Sequence, residues 1–193
     1  MTRQILLMGF ISGLLGLFGC NSNANQQLNK REFTQNSDDT EITSPNNPID
    51  TAKRNKLVAK YDLLKFPNIK QPILLTVDEF FDGNNDEASI APNLSEKLSM
   101  SKYYSILKNL ADNPKTIVAF AEIKEVMLYD GKLNDNEWFY SDIIYFVGDL
   151  TKEEIKAATK SLMPDEVEYD NENRIKVLSK KYADKNVVYV WWD

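Results

Sequence analysis

Two long apolar runs separated by a short polar loop constrain the fold of this chain more than any other feature. The first, TIVAFAEIKEVMLY (116–129), is rich in β-branched and aromatic residues, and the second is SDIIYFVGDL (141–150). The segment DGKLNDNE (130–137) between them suits a hairpin loop but is too short for a crossover helix. The two runs are therefore predicted to be neighbouring antiparallel strands, which argues against a doubly wound parallel sheet.

Helix signals flank these strands. Thr76 and Thr151 are each followed three residues later by a glutamate, which is the spacing of a capping box at a helix start. Gly83 stands where a helix-ending glycine belongs. A longer helix is predicted over 95–112, where apolar residues recur at helical spacing: Tyr103, Ile106, Leu107 and Leu110.

The apolar residues within 56–75 predict strands, or a strand after a short helix, and further extended segments are predicted at 165–169 and 187–192. The resulting order of elements is β, α, β, β, α, β with a final strand. This order predicts an α+β fold, specifically a ferredoxin-like βαββαβ sandwich with one mostly antiparallel sheet and two helices on one face. Residues 56–193 are expected to form a single domain.

The N-terminal region has a different character. Residues 1–19 contain Arg3 followed by an apolar run, Ile5 to Gly19, which is too short for a membrane-spanning helix and suits a secretory signal. The run ends in Leu17-Phe18-Gly19-Cys20, which resembles the signal of bacterial lipoproteins. An ordinary signal peptide with a chance cysteine and an uncleaved N-terminal anchor are the alternatives.

The resemblance to lipoproteins implies cleavage before Cys20 and attachment of acyl chains to that cysteine. Two or three acyl chains hold a protein on a membrane essentially permanently. By the same resemblance, Asn21 directly after the cysteine favours the outer membrane, with the protein facing the periplasm. Residues 21–55 are polar and poor in large apolar side chains, so we expect a disordered tether over 20–55 with a reach of roughly 30–35 Å.

The composition limits the chemistry of the protein. The 193 residues include no histidine, and Cys20 is the only cysteine. Serine–histidine triads, cysteine–histidine pairs and histidine-containing zinc sites are therefore excluded. With 29 acidic and 23 basic residues the net charge is −6, which disfavours nucleic acid and favours a basic protein partner. We expect neither enzymatic activity nor a cofactor.

The stretch FFDGNNDEASI (80–90) is a candidate binding loop, because Asp82, Asn84 and Asp86 alternate as oxygen ligands do in a calcium loop. The full pattern fails, since Glu87 stands where the turn needs glycine and Asn93 stands where a bidentate glutamate belongs. We therefore predict a helix end followed by an acidic loop of Asp82, Asn84, Asp86 and Glu87, with no metal site.

The chain end, VVYVWWD, places two tryptophans side by side. In a strand, Trp191 and Trp192 face opposite sides of the sheet, so helices on one face cover only one of them. The candidate interface aromatics are Trp138, Tyr189, Trp191 and Trp192. The alternative is that the uncovered tryptophan fills the open face of the sheet.

Three short motifs, FFDGN, SIAPN and the terminal WWD, resemble those of a set of uncharacterised small bacterial proteins. The resemblance covers roughly 73–193 and implies one domain, without an activity. Our leading expectation is a membrane-anchored lipoprotein that acts by protein binding, in one version an immunity-type inhibitor of a basic effector. A ligand- or calcium-binding module and a structural envelope lipoprotein are the alternatives.

Overall fold

The computed structural model describes residues 48–193. The predicted signal peptide, the lipidation site Cys20 and most of the predicted tether lie outside the described residues. The helices are α1 (Thr51–Tyr61), α2 (Val77–Phe81), α3 (Met100–Ala111), α4 (Lys152–Thr159) and α5 (Lys176–Lys181). The strands are β1 (Ile73–Thr76), β2 (Thr116–Ile123), β3 (Leu128–Tyr129), β4 (Lys132–Leu133), β5 (Ile143–Gly148), β6 (Glu166–Tyr169) and β7 (Asn186–Trp191).

Five of these strands form one sheet in the order β1-β2-β5-β7-β6, and every neighbouring pair is antiparallel. Strands β3 and β4 form a separate two-stranded hairpin. The predicted α+β class and the mostly antiparallel sheet are confirmed. The predicted pairing of the runs at 116–129 and 141–150 is also confirmed, since β2 and β5 are adjacent.

The strand order differs from that of a ferredoxin-like sandwich, in which each helix joins two parallel strands of a split βαβ unit. Here α3 joins β1 to β2, which are adjacent and antiparallel. The final strand, β7, lies between β5 and β6. The reason is composition: β7 is apolar on both faces and needs an interior position, whereas β6 alternates Glu166, Val167 and Glu168 and tolerates the sheet edge.

Both faces of the sheet are covered, although the sequence predicted helices on one face only. Helices α1 to α4 contribute to the larger core on the first face, together with residues such as Phe146 and Val190. On the second face, Tyr145 and Tyr189 pack with Leu178 of α5. Helix α5 is needed there because β5 is buried along its whole length, so its second-face residues also require cover.

The helix starts follow the predicted caps. Thr76 and Thr151 each accept a hydrogen bond from the backbone of the glutamate three residues later, and both capping boxes are complete. Helix α3 begins at Met100 with Ser99 as its cap, later than the predicted start at 95. Helix α1 begins at Thr51, within the predicted tether, because Asp50 caps it and Arg54 is buried.

The two C-terminal tryptophans lie on opposite faces, as strand alternation predicts. Trp192 is fully buried on the first face, where its Nε1 donates a hydrogen bond to the carbonyl of Leu162 at 2.9 Å. Its ring packs edge-on against Tyr103 of α3, with 5.9 Å between the ring centroids. Trp192 therefore packs α3 and the turn after α4 against the end of β7.

Truncation of Trp192 tests this role. Trp192→Ala is expected to lower the free energy of unfolding by about 3–5 kcal/mol, because it leaves a large cavity and removes a hydrogen bond. The matched control is Trp191→Ala, which removes the same side chain from the half-buried second face and is expected to cost less than about 2 kcal/mol. Urea unfolding followed by circular dichroism measures both; equal losses would contradict the assignment.

Candidate functional site

The predicted binding loop, residues 82–87, is held in place by contacts with α1 and with the residue that caps this helix. Asp82 pairs with Lys53 of α1 at 2.6 Å, and the carbonyl of Gly83 accepts a hydrogen bond from the amide of Asp50 at 2.8 Å. Gly83 has φ +86°, and a Cβ at this position would lie 2.7 Å from the Cβ of Asp50. Glycine is therefore required here for both conformation and space.

Of the three other predicted binding residues, Asn84 and Asp86 hold the loop in place through hydrogen bonds, and Glu87 is exposed. Asn84 is 2% exposed, and its Nδ2 donates to Ser89 Oγ at 2.9 Å. Asp86 accepts hydrogen bonds from the amides of Ala88 at 3.0 Å and Trp138 at 2.9 Å. Glu87 is exposed. Among residues 48–193 no three acidic, cysteine or histidine side chains are grouped so that they could hold a metal ion.

The role of Asp86 as a structural acceptor can be tested against metal binding. Asp86→Ala is expected to lower the free energy of unfolding by about 1–2 kcal/mol, because two backbone amides lose a charged acceptor. Glu87→Ala, one residue away and exposed, is expected to change it by less than about 0.5 kcal/mol.

These values should be the same in calcium and in EDTA, since the carboxylate serves the backbone. Calcium-dependent stabilisation of the wild type that is lost in Asp86→Ala would contradict this prediction.

A groove of about 540 Å³ lies between α1, α2 and α3, beside this loop. Its apolar lining is Leu57, Phe81 and Tyr104, and its charged lining is Lys53, Lys56, Asp78, Glu79 and Asp82. Most of these charges are already paired. Asp78 accepts from Lys108 at 2.9 Å and from the Tyr104 hydroxyl at 2.9 Å, and these bonds lower its pKa against burial. Glu79 pairs with Lys60.

Arg54 carries a buried charge, and no sequence pattern indicated that this residue has a structural role. It is 2% exposed in α1, and its Nη1 donates to the carbonyls of Asn134 and Glu137, the latter at 2.7 Å. Asp135 supplies the nearest carboxylate, 3.6 Å from Nη2. The guanidinium therefore fixes the loop after β4 against the helix that forms one wall of the groove.

The four predicted interface aromatics do not lie together on the surface. Trp138, Tyr189 and Trp192 are at most 3% exposed, so they contribute to packing and cannot meet a partner without rearrangement. Only Trp191 is half-buried. It lies on the second face with Tyr189, two residues earlier in β7.

Several acidic residues lie at the end of the sheet that contains Trp191. In the sheet register Trp191 is opposite Glu166 on one side and Ile143 on the other. Asp142 precedes Ile143, and its backbone carbonyl accepts a hydrogen bond from the amide of Trp192 at 3.0 Å. Two further carboxylates lie at the same end of the sheet, where Asp165 accepts a hydrogen bond from the amide of Asp193 at 2.8 Å. We call Asp142, Asp165, Glu166, Trp191 and Asp193 the acidic end.

Burial is the largest cause of two pKa shifts near the acidic end, and neighbouring carboxylates add to it. Burial raises the pKa of Asp142, opposed by the charge of Lys124 and by an interaction with Trp191. Burial, followed by the charges of Asp142, Glu125 and Asp193, raises the pKa of Tyr140 to about 12. Negative charge is therefore concentrated in a partly desolvated region, where electrostatic interactions are stronger than in bulk water.

The comparisons with known proteins identify a family without a described activity. Residues 52–189 match the model of the Uncharacterized protein YfbO family. The chain belongs to this family. The match covers the whole sheet and all five helices except Thr51 and the last two residues of β7. It overlaps the predicted resemblance over 73–193, but it begins nearer the N-terminus and ends before the WWD motif. No curated protein and no solved structure matches the chain.

None of the helices in residues 48–193 of this YfbO-family protein combines the length and apolar character needed to cross a membrane.

Proposed function

We propose that this YfbO-family protein is a lipid-anchored envelope protein that acts by binding a basic protein partner. The observation that carries the proposal is the acidic end. Its four carboxylates, those of Asp142, Asp165, Glu166 and Asp193, take part in none of the ion pairs within residues 48–193.

The groove between α1, α2 and α3 is a weaker candidate for the same role. Its carboxylates are already neutralised by lysines of the same chain, as in the pairs Asp82–Lys53 and Asp78–Lys108. A ligand that entered there would first have to compete with these pairs. At the acidic end a cationic partner adds favourable charge pairing without breaking an ion pair.

The composition supports binding over catalysis. A chain without histidine and with one cysteine, at the predicted lipidation site, lacks the common nucleophile–base combinations. The carboxylates of the acidic end do not line the groove between α1, α2 and α3, and within residues 48–193 they form no cluster that could hold a metal ion. Electrostatic recognition of a protein surface is the use that fits this arrangement.

The anchoring part of the proposal rests on the Leu17-Phe18-Gly19-Cys20 motif. Cells that express the full-length protein with an alkyne-labelled palmitate analogue are expected to incorporate the label and to retain the protein in the membrane fraction. Cys20→Ser is expected to abolish labelling, because it removes the thiol that would carry the thioether-linked lipid.

A second variant tests sorting in a Gram-negative host. Asn21→Asp is expected to keep the label but to move the protein from the outer to the inner membrane. Unlabelled wild-type protein would contradict lipid anchoring and leave the ordinary signal peptide or the uncleaved anchor.

Partner binding can be tested with the full-length protein in detergent-solubilised envelopes. An epitope inserted at the exposed Asp130–Gly131 turn, where a Cβ on Gly131 would have no neighbour within 4 Å, leaves the acidic end free. The protein is expected to capture a basic protein at low salt and to release it at about 0.5 M salt, where screening is strong. The double variant Asp142→Lys, Glu166→Lys should fail to capture it at any salt concentration.

The matched control is Glu87→Lys with Glu96→Lys, which makes the same change in net charge at two exposed positions away from the acidic end. Capture that resists salt and both double variants would overturn the proposal and favour a structural envelope component. In the immunity-type version, the captured protein is toxic when expressed alone and harmless when this protein is co-expressed.

A further inference from the structure

We propose that Asp130, in the turn between β3 and β4, is a site of spontaneous isomerisation to isoaspartate. The inference concerns the covalent chemistry of the chain and is independent of the proposed function. An aspartate followed by glycine is especially open to this reaction, because glycine has no side chain to obstruct the attack of its amide nitrogen on the preceding carboxyl group. The chain contains two such dipeptides, Asp82-Gly83 and Asp130-Gly131, and the fold treats them differently.

The reaction releases one molecule of water and then takes one up. In the first step the amide nitrogen of Gly131 bonds to Cγ of the Asp130 carboxylic acid, and the amide proton leaves with the carboxyl hydroxyl as water. In the second step water hydrolyses the resulting succinimide. Attack at the original main-chain carbonyl leaves the peptide bond on Cγ, which is isoaspartate, and attack at Cγ restores aspartate. Water is the only other reactant.

The Asp130-Gly131 pair is open to this attack. It forms the two-residue turn of the hairpin, next to the pairing of Tyr129 with Lys132. Both turn residues are exposed and have positive φ, 51° for Asp130 and 75° for Gly131, as a type I′ turn requires. A Cβ on Gly131 would have no neighbour within 4 Å. The Asp130 carboxylate forms no ion pair within the described residues.

The hairpin that contains this turn can open at little cost. Each of its strands has two residues, and the two strands form a sheet of their own. A hairpin this short has little intrinsic stability. The rotation at Asp130 that brings its carboxyl group to the Gly131 nitrogen therefore needs only local opening.

Asp82-Gly83 is the comparison site, and the fold protects it. Asp82 Oδ1 is 2.6 Å from Lys53 Nζ, and the Gly83 carbonyl accepts a hydrogen bond from the Asp50 amide at 2.8 Å. Gly83 is also closely packed, since a Cβ there would lie 2.7 Å from the Cβ of Asp50. Rotation at this site breaks the ion pair and the contact with the start of α1, so the reaction requires a larger opening of the domain.

Isomerisation lengthens the main chain of the turn by one carbon atom. Because the length of a two-residue turn fixes the register of its hairpin, the pairing of Tyr129 with Lys132 is lost. The Tyr129 hydroxyl also donates to Oε1 of Glu137 at 3.1 Å, and the Glu137 carbonyl accepts from Arg54 at 2.7 Å. The modification is therefore expected to loosen the loop that Arg54 holds against α1.

The test incubates the full-length protein in detergent micelles, in mildly acidic buffer made with water enriched in heavy oxygen. Each hydrolysis of a succinimide places one heavy oxygen atom in a carboxylate. Trypsin separates the two sites into peptides 71–97 and 125–132, and mass spectrometry with electron-transfer fragmentation locates the label and the isoaspartate. In the folded protein, Asp130 is expected to gain label at least about tenfold faster than Asp82.

Three controls separate the effect of the fold from that of the dipeptide. In concentrated urea the domain is unfolded, and the two sites are expected to gain label at rates within about twofold of each other. Lys53→Met is expected to raise the rate at Asp82 about threefold and to leave the rate at Asp130 unchanged. Asp130→Glu is expected to abolish labelling at its own position, because the longer side chain would have to close a larger ring.

Equal labelling of the two sites in the folded protein, faster labelling of Asp82, or the same ratio of rates in urea would overturn the inference. Hydrogen exchange measures the structural consequence. The amides of residues 128–133 are expected to exchange faster in aged wild-type protein than in equally aged Asp130→Glu, and equal exchange would contradict the loss of register.

Discussion

The central strand β5 sets the constraint on which the rest of the structure depends, because it is buried along its entire length on both faces. A strand of this kind needs apolar neighbours in the sheet and cover above and below. Strands β2 and β7 supply the neighbours, helices α3 and α4 cover the first face, and the short helix α5 covers part of the second. The region that α5 leaves half-open contains Trp191.

The charged side chains are arranged differently around the groove and at the acidic end. Around the groove, lysines neutralise carboxylates, and the buried guanidinium of Arg54 holds a loop by its backbone carbonyls. These interactions are internal and stabilise the arrangement of α1. At the acidic end, the four carboxylates form no ion pair within the described residues, and burial raises the pKa of Asp142. The absence of ion pairs at these carboxylates is the basis on which we propose a cationic partner.

Local patterns predicted the features that depend on local physics. Both capping boxes, the helix around Tyr103 and the pairing of β2 with β5 follow from spacing and turn length. The loop at 82–87 shows where such patterns stop being informative. An alternating row of Asp82, Asn84 and Asp86 is equally compatible with metal ligation and with acceptance of backbone hydrogen bonds. The choice depends on the amide of Trp138, which is distant in sequence.

By itself the sequence determined the α+β class, the absence of histidine chemistry, the acidic charge and the opposite orientation of Trp191 and Trp192, because composition and strand alternation are properties of the chain alone. Only the tertiary structure decided the strand order, the placement of α5 and the burial of three of the four candidate aromatics. The physical reason is that burial depends on what packs against a residue from elsewhere in the chain. The carboxylates of the acidic end come from three segments that meet at the end of the sheet that contains Trp191.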